Sequence, residues 1–100
     1  MTREEIIEKL KAMEPELRAR GITRMQIFGS RARGDERPDS DLDLLIEYER
    51  PTAASGFDFF GIGPDLTEAL GVETNVVGDH SGMKPRFRRE ISRDLVTVFG

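Results

Sequence analysis

The sequence predicts an α/β (α+β) fold, in which a small mixed sheet of about three to four strands is flanked by helices. Two patterns predict it: apolar residues recur every three or four positions in some segments and every second position in others. These segments alternate along the chain in the order α-β-α-β-α-β-α-β. Because the chain has 100 residues, 37% of them hydrophobic, and no internal repeat, we expect residues 1–100 to form a single domain.

The first helix and the first strand have clear boundaries in the sequence. Thr2 and Glu5 match a capping box, and the apolar residues that follow at helical spacing predict one helix to about Arg20. Gly21 then fits the left-handed cap that ends many helices. The alternating segment 22–28 predicts the first strand.

The second strand carries acidic side chains at alternate positions. The segment 31–40 is polar and contains Gly34 and Pro38, which indicates a short helical turn and then a loop. The segment 41–48 predicts a strand. One face carries Asp41, Asp43 and Leu45, and the other carries Leu42, Leu44 and Ile46. A second loop is expected at 50–57.

The last part of the chain predicts two helices and two strands. Residues 57–70 indicate a helix, with Pro64 as an alternative first residue. A third strand is expected at 72–77, a basic helix at 83–93, and a short strand or an extended tail at 95–99. Three aromatic residues near the start of the helix predicted for 57–70 fit core packing and the docking of another chain equally well: Phe57, Phe59 and Phe60.

The composition narrows the classes of function. The chain has no cysteine, which excludes disulfides, thiolate zinc sites and a cysteine nucleophile. A formal net charge of -4 does not favour direct binding of nucleic acid, although arginines cluster at 31–37 and 86–93. The sequence shows no signal peptide and no apolar run long enough to span a membrane, so we expect a cytoplasmic protein.

Asp41 and Asp43 offer the chemistry of a divalent metal site. Two carboxylates at alternate positions of a strand project from the same face, within reach of one or two Mg²⁺ ions. Nucleotidyl transfer uses such ions to neutralise a triphosphate and to align the reacting oxygens. An isolated pair of this kind is also common on solvent-exposed strands, so its significance depends on the turn upstream.

The turn upstream supplies the second half of the pattern. Glycine and serine between a strand and a helical turn present backbone N–H groups and a hydroxyl to an anion, although the same pair is an ordinary helix cap. Gly29-Ser30, ten intervening residues and Asp41-Leu42-Asp43 together resemble the signature of the minimal nucleotidyltransferase (MNT) family, within the DNA polymerase beta-like nucleotidyltransferase superfamily. The resemblance extends over nearly the whole chain and implies that superfamily's fold.

The resemblance assigns roles to these residues. It implies that Gly29 and Ser30 contact the phosphates of ATP or another nucleoside triphosphate. It also implies that Asp41 and Asp43 are catalytic and ligate magnesium.

Two arginines follow the turn. Arg31 and Arg33 are expected to bind the nucleotide, because guanidinium groups beside a phosphate site neutralise the charge that develops there.

The third carboxylate of the superfamily has no counterpart here. In the superfamily an aspartate on the next strand helps to activate the attacking hydroxyl, and Asn75 stands at that position. An amide is neutral and cannot serve as a general base. Glu73 lies two residues earlier on the same predicted face, and we expect it to be too far displaced to substitute.

The resemblance also implies a protein partner. Members of the family are often antitoxins that act with a helical HEPN ribonuclease toxin, and some transfer AMP from ATP to a tyrosine of that toxin. Two functions therefore stay open: a magnesium-dependent adenylyltransferase antitoxin, or a catalytically impaired module that neutralises its partner by complex formation. The sequence leaves open the acceptor, the preferred nucleotide and any oligomer.

Overall fold

The computed structural model describes residues 2–34, 40–49, 59–79 and 83–100. Core packing and docking, the two interpretations of Phe57, Phe59 and Phe60, concern Phe57 itself and the side chains of the other two, which lie outside the described residues. The helices and strands are, in chain order, α1 Arg3–Ala12, α2 Glu14–Ala19, β1 Ile22–Phe28, α3 Ser30–Arg33, β2 Leu42–Tyr48, α4 Phe59–Leu70, β3 Thr74–Gly78, α5 Pro85–Ser92 and β4 Val96–Phe99.

The four strands form one mixed sheet in the order β3-β2-β1-β4. β1 pairs antiparallel with both β2 and β4, whereas β2 and β3 are parallel. This confirms the predicted mixed sheet flanked by helices. The segment 95–99, for which a strand or a tail was expected, forms the edge strand β4.

The main core lies against one face of the sheet. Leu42, Leu44 and Ile46 of β2 are completely buried there, which confirms the alternation predicted from the sequence. Helices α1, α2 and α4 contribute to the same cluster through Ile6, Leu10, Leu17, Ile62, Leu66 and Leu70. The helical side chains thus bury one face of the sheet against a continuous apolar layer.

A smaller cluster covers part of the opposite face. Phe28 and Leu45 of the sheet pack there with Met83 and with Ile91 of α5. Asp43 lies two residues before Leu45 on β2 and therefore projects from this same face. The carboxylate consequently borders the smaller cluster and lies outside the main core.

The prediction of a single helix in the N-terminal segment is wrong, because two consecutive helices form there. The helix stops at Met13 and restarts as α2, with Pro15 in the first turn of α2. Proline lacks a backbone N–H and fits the first turn of a helix, where that donor has no helical partner. The hydroxyl of Thr2 accepts a hydrogen bond from the backbone N–H of Glu5, as the capping pattern predicts.

Helix α4 begins before the proline that marked its alternative start. Pro64 lies inside the helix, which already begins at Phe59, so the start at Pro64 is wrong. Ile62 is completely buried among the core side chains, and packing of this turn overrides the local preference of proline. With 12 residues α4 is the longest helix in the described ranges. Neither it nor any other described helix has the length and apolar character needed to cross a membrane.

Candidate active site

The sheet brings the predicted site residues together at one edge. Because β1 is antiparallel to β2, and β2 is parallel to β3, the end of β1 meets the beginnings of the other two strands. Phe28 lies opposite Asp43, and Asp43 lies opposite Asn75. Gly29 follows β1, and Asp41 directly precedes β2.

Asn75 connects the two carboxylates. Its side-chain Nδ2 donates to Oδ2 of Asp41 at 3.2 Å and to Oδ1 of Asp43 at 3.3 Å. Ionised carboxylates only accept hydrogen bonds, and an amide nitrogen carries two donors, so one amide group satisfies both. The neutral residue at the predicted third-carboxylate position therefore contacts both acidic groups directly.

The electrostatics of Asp43 differ from those of an ordinary surface carboxylate. Burial raises the pKa of Asp43, and the nearby charge of Asp41 acts in the same direction, while the hydrogen bond from Asn75 opposes them. A carboxyl whose pKa is higher in the folded state loses stabilising effect as pH rises through that pKa. The ionised Asp43 thus costs stability at neutral pH, a cost that a bound cation would offset.

The turn at Gly29 depends on glycine for two reasons. Its φ of 80° and ψ of -158° lie in a region that only glycine readily adopts. A Cβ atom at this position would lie 2.6 Å from Oδ2 of Asp43. The missing side chain therefore lets the turn approach the carboxylate, which links the two halves of the sequence signature physically.

Ser30 begins α3, a single helical turn of four residues. The backbone N–H groups of Ala32 and Arg33 both donate to the carbonyl of Gly29 at 3.1 Å. These bonds fix the turn after β1, so Ser30 is held directly after Gly29, the residue that approaches Asp43. Its contact with phosphate stays a prediction.

The two arginines after Ser30 take different positions. Arg31 is buried, with 4% of its surface exposed, and its Nε donates to the backbone carbonyl of Ser40 at 3.0 Å. Arg33 forms an ion pair with Asp94 at 2.9 Å. Arg31 thereby connects α3 to the segment that precedes Asp41, which positions the carboxylates. Direct binding of phosphate by either arginine stays a prediction.

The donor set fits one hard divalent cation. Asp41 and Asp43 provide carboxylate oxygens, whereas Asn75 presents the nitrogen of its amide to both of them. Within the described ranges no three acidic, histidine or cysteine side chains gather into a metal-binding group, so Glu73 does not join the two aspartates. The site therefore offers two carboxylates where the resemblance implies three.

Sequence reasoning missed an aromatic pair beside the carboxylates. The rings of Phe28 and Phe87 are perpendicular, with their centroids 6.3 Å apart. The position of Phe28 directly before the Gly29 turn was a signal for its placement at the site. No sequence pattern indicated that Phe87 of the basic helix α5 would meet it.

Comparisons with known proteins identify the family of this chain. A family model for the nucleotidyltransferase domain matches residues 3–99. The protein adenylyltransferase MntA of Thermococcus cleftensis is 33% identical over 99 residues, which cover 98% of this chain and 97% of that protein. A solved structure described as a candidate minimal nucleotidyltransferase is 32% identical, with a TM-score of 0.74 over 96% of this chain and 95% of that one.

A more distant likeness comes from a toxin-antitoxin complex. A chain from the complex of a tri-AMPylated Shewanella oneidensis HEPN toxin with an MNT antitoxin matches with a TM-score of 0.65. The match covers 99% of this chain and 73% of that chain, at 13% sequence identity. At this level of identity the likeness shows a shared fold.

Proposed function

This chain belongs to the nucleotidyltransferase domain family, and from that premise we propose that it is a magnesium-dependent adenylyltransferase that moves AMP from ATP to a protein acceptor. The observation that carries the proposal is the meeting of Asp41 and Asp43 with the Gly29 turn at one edge of the sheet. The reaction class is supported by the 33% identical relative, which is named a protein adenylyltransferase. The cytoplasmic location expected from the sequence is part of the proposal.

Each site residue has a defined task in this reaction. Asp41 and Asp43 would hold magnesium, which would neutralise the charge of the triphosphate. Gly29 and Ser30 receive the phosphates through the turn. The acceptor hydroxyl attacks the α-phosphorus, its proton passes to water, the new O–P bond forms, and the bond from the α-phosphorus to the bridging oxygen breaks as pyrophosphate leaves. The chain contributes mainly by orienting the reactants and by charge stabilisation.

The proposed acceptor is a HEPN-type toxin, and this chain would be its antitoxin. The shared fold with a chain from a HEPN toxin and MNT antitoxin complex supports that choice of partner. Transfer of AMP to a toxin side chain adds charge and bulk at the modified position, which is a direct means of blocking a ribonuclease active site.

A second candidate function is a binding module that neutralises its partner by complex formation alone. The observation that favours it is Asn75, whose amide occupies the place of a carboxylate and donates to both aspartates. Without a carboxylate at this position, the described residues place no third acidic group beside Asp41 and Asp43 to act as general base, a role that contributes roughly 10²–10⁴-fold to the rate. A slow enzyme and an inactive binder therefore both fit the geometry.

A transfer assay tests the catalytic proposal. The chain is incubated with magnesium, ATP labelled at the α-phosphate, and a purified HEPN partner. We expect label on the partner with the wild-type chain and none above background with the double variant Asp41→Asn, Asp43→Asn. Asp65→Asn is the matched control, because Asp65 on α4 forms an exposed ion pair with Arg20, away from the two aspartates, and should leave transfer unchanged. Labelling that persists in the double variant, or no labelling with the wild type, would contradict the proposal.

Neutralisation in cells separates the two candidates. If the chain acts by transfer, the double variant should still bind the partner but should fail to relieve growth arrest. If the chain acts as a binding module, the double variant should relieve arrest as well as the wild type. A pull-down performed in parallel shows whether the complex has formed.

A further inference from the structure

Phe87 lies beside the candidate site through its contact with Phe28. Phe28 ends β1 and lies opposite Asp43 in the antiparallel pair, so both side chains project from the same face of the sheet. The ring of Phe87 packs against Phe28 with a centroid distance of 6.3 Å and an interplanar angle of 88°. One aromatic side chain therefore separates Phe87 from a proposed metal ligand.

The ring of Phe87 is available for a further contact. It is 36% exposed, and it is the large apolar side chain that the described part of the chain leaves exposed, whereas Phe28 is 9% exposed. In a perpendicular pair one ring contributes its edge and the other one face. Whichever role Phe87 takes, at least one of its faces is not covered by Phe28.

Phe87 lies in the basic helix α5. Arg86 and Arg88 are its sequence neighbours on α5, and each is ion-paired, Arg86 with Glu90 at 3.4 Å and Arg88 with Asp79 at 2.6 Å. Lys84 and Arg89 add further positive charge to the segment. A single exposed apolar side chain needs no explanation by itself. Here the ring lies one side chain away from the candidate metal site, and the basic segment that contains it favours a ligand with negative charge elsewhere in the molecule.

We propose that Phe87 stacks on the base of the bound nucleoside triphosphate and so forms the base subsite. The inference rests on the proposed function, which places the phosphates at Gly29 and Ser30. In a nucleotide only the ribose lies between the base and the α-phosphate. A base can therefore reach the ring just beyond Phe28 while the phosphates meet the turn that follows Phe28 in sequence.

Stacking sets a specific expectation for ligand preference. Every base offers a flat aromatic face, so stacking tolerates all bases and is strongest for the larger purine rings. The Phe87 subsite therefore favours ATP and GTP over UTP, and it contributes nothing to the binding of inorganic tripolyphosphate.

Calorimetric titration with two ligands tests the subsite. Magnesium ATP and magnesium tripolyphosphate are titrated into the wild-type chain and into the variants Phe87→Leu and Phe87→Tyr. Leucine keeps an apolar group against Phe28 but has no aromatic face, and tyrosine keeps the ring. We expect Phe87→Leu to weaken ATP binding about tenfold and to leave tripolyphosphate binding unchanged, and Phe87→Tyr to retain ATP binding. Thermal melts confirm that each variant is folded.

The outcomes distinguish this inference from the proposed function. ATP binding that is unchanged in Phe87→Leu, or ATP and tripolyphosphate weakened equally, would overturn the base subsite alone. Loss of the partner complex in Phe87→Leu, with ATP binding intact, would assign the ring to protein docking instead. A wild-type chain that binds neither ligand would overturn both the subsite and the proposed function.

Discussion

Asn75→Asp is expected to raise the rate of AMP transfer by roughly 10²–10⁴-fold, the usual contribution of a general base. The register predicts this gain, because residue 75 lies opposite Asp43, and its side chain already reaches both aspartates within 3.3 Å. An aspartate there would place a carboxylate where the acceptor hydroxyl must lose its proton. The measurement is the single-turnover rate with α-labelled ATP and the HEPN partner.

Two controls separate the base from other effects of the substitution. Asn75→Ala removes the amide without supplying a carboxylate, and it should give no gain. Glu73→Gln should leave transfer unchanged, because Glu73 does not join the two aspartates. Three neighbouring carboxylates repel each other, and a bound magnesium ion would relieve that repulsion. The Asn75→Asp variant should therefore have a lower melting temperature without magnesium than with it. A rate unchanged by Asn75→Asp would show that a missing base does not limit this chain.

Gly29→Ala is expected to reduce magnesium-dependent transfer about hundredfold, the usual effect of misplacing a catalytic group by ~1 Å. The added Cβ would lie 2.6 Å from Oδ2 of Asp43, so the carboxylate must move away from its position beside Asp41 and Asn75. Alanine at this position would also strain the backbone, because the φ and ψ of Gly29 suit only glycine. This strain should lower the free energy of unfolding by about 1–3 kcal/mol.

Gly34→Ala is a matched control for the backbone effect. Gly34 also has a positive φ, 81°, but an added Cβ there meets no atom within 4 Å. It lies in the left-handed region, which other residues adopt at a smaller cost. We expect Gly34→Ala to lower the melting temperature by several degrees and to keep full transfer activity. Equal loss of transfer in both variants would show that backbone strain, and not the contact with Asp43, accounts for the effect.

The strands were predictable because residues next to them in the sequence mark where they begin and end. The alternation in 22–28 is enclosed by Gly21 and Gly29, both with positive φ, and β1 occupies those residues. The helix boundaries were harder to predict, because proline favours a break in a helix whereas packing of buried side chains can keep the helix intact. Pro15 interrupts the first helix although the apolar spacing continues through it, whereas burial of Ile62 carries α4 past Pro64.

The candidate site was predictable only in part, for a similar reason. The signature located Gly29, Asp41 and Asp43, because their chemistry is tied to local turn and strand geometry. The burial of Arg31 and its bond to the carbonyl of Ser40 depend on how the α3 turn folds back on the chain, which no spacing reveals. The contact between Phe28 and Phe87 joins residues distant in the sequence and needs the three-dimensional packing of α5.

The most direct test of the central claim is the calorimetric titration of ATP into the wild-type chain, with and without magnesium. The account predicts saturable binding of one ATP per chain that requires magnesium, that persists in Asp65→Asn, and that disappears in the double variant Asp41→Asn, Asp43→Asn. Binding that is equally strong without magnesium, or that survives loss of both aspartates, would contradict the claim that these carboxylates hold a metal-bound nucleotide.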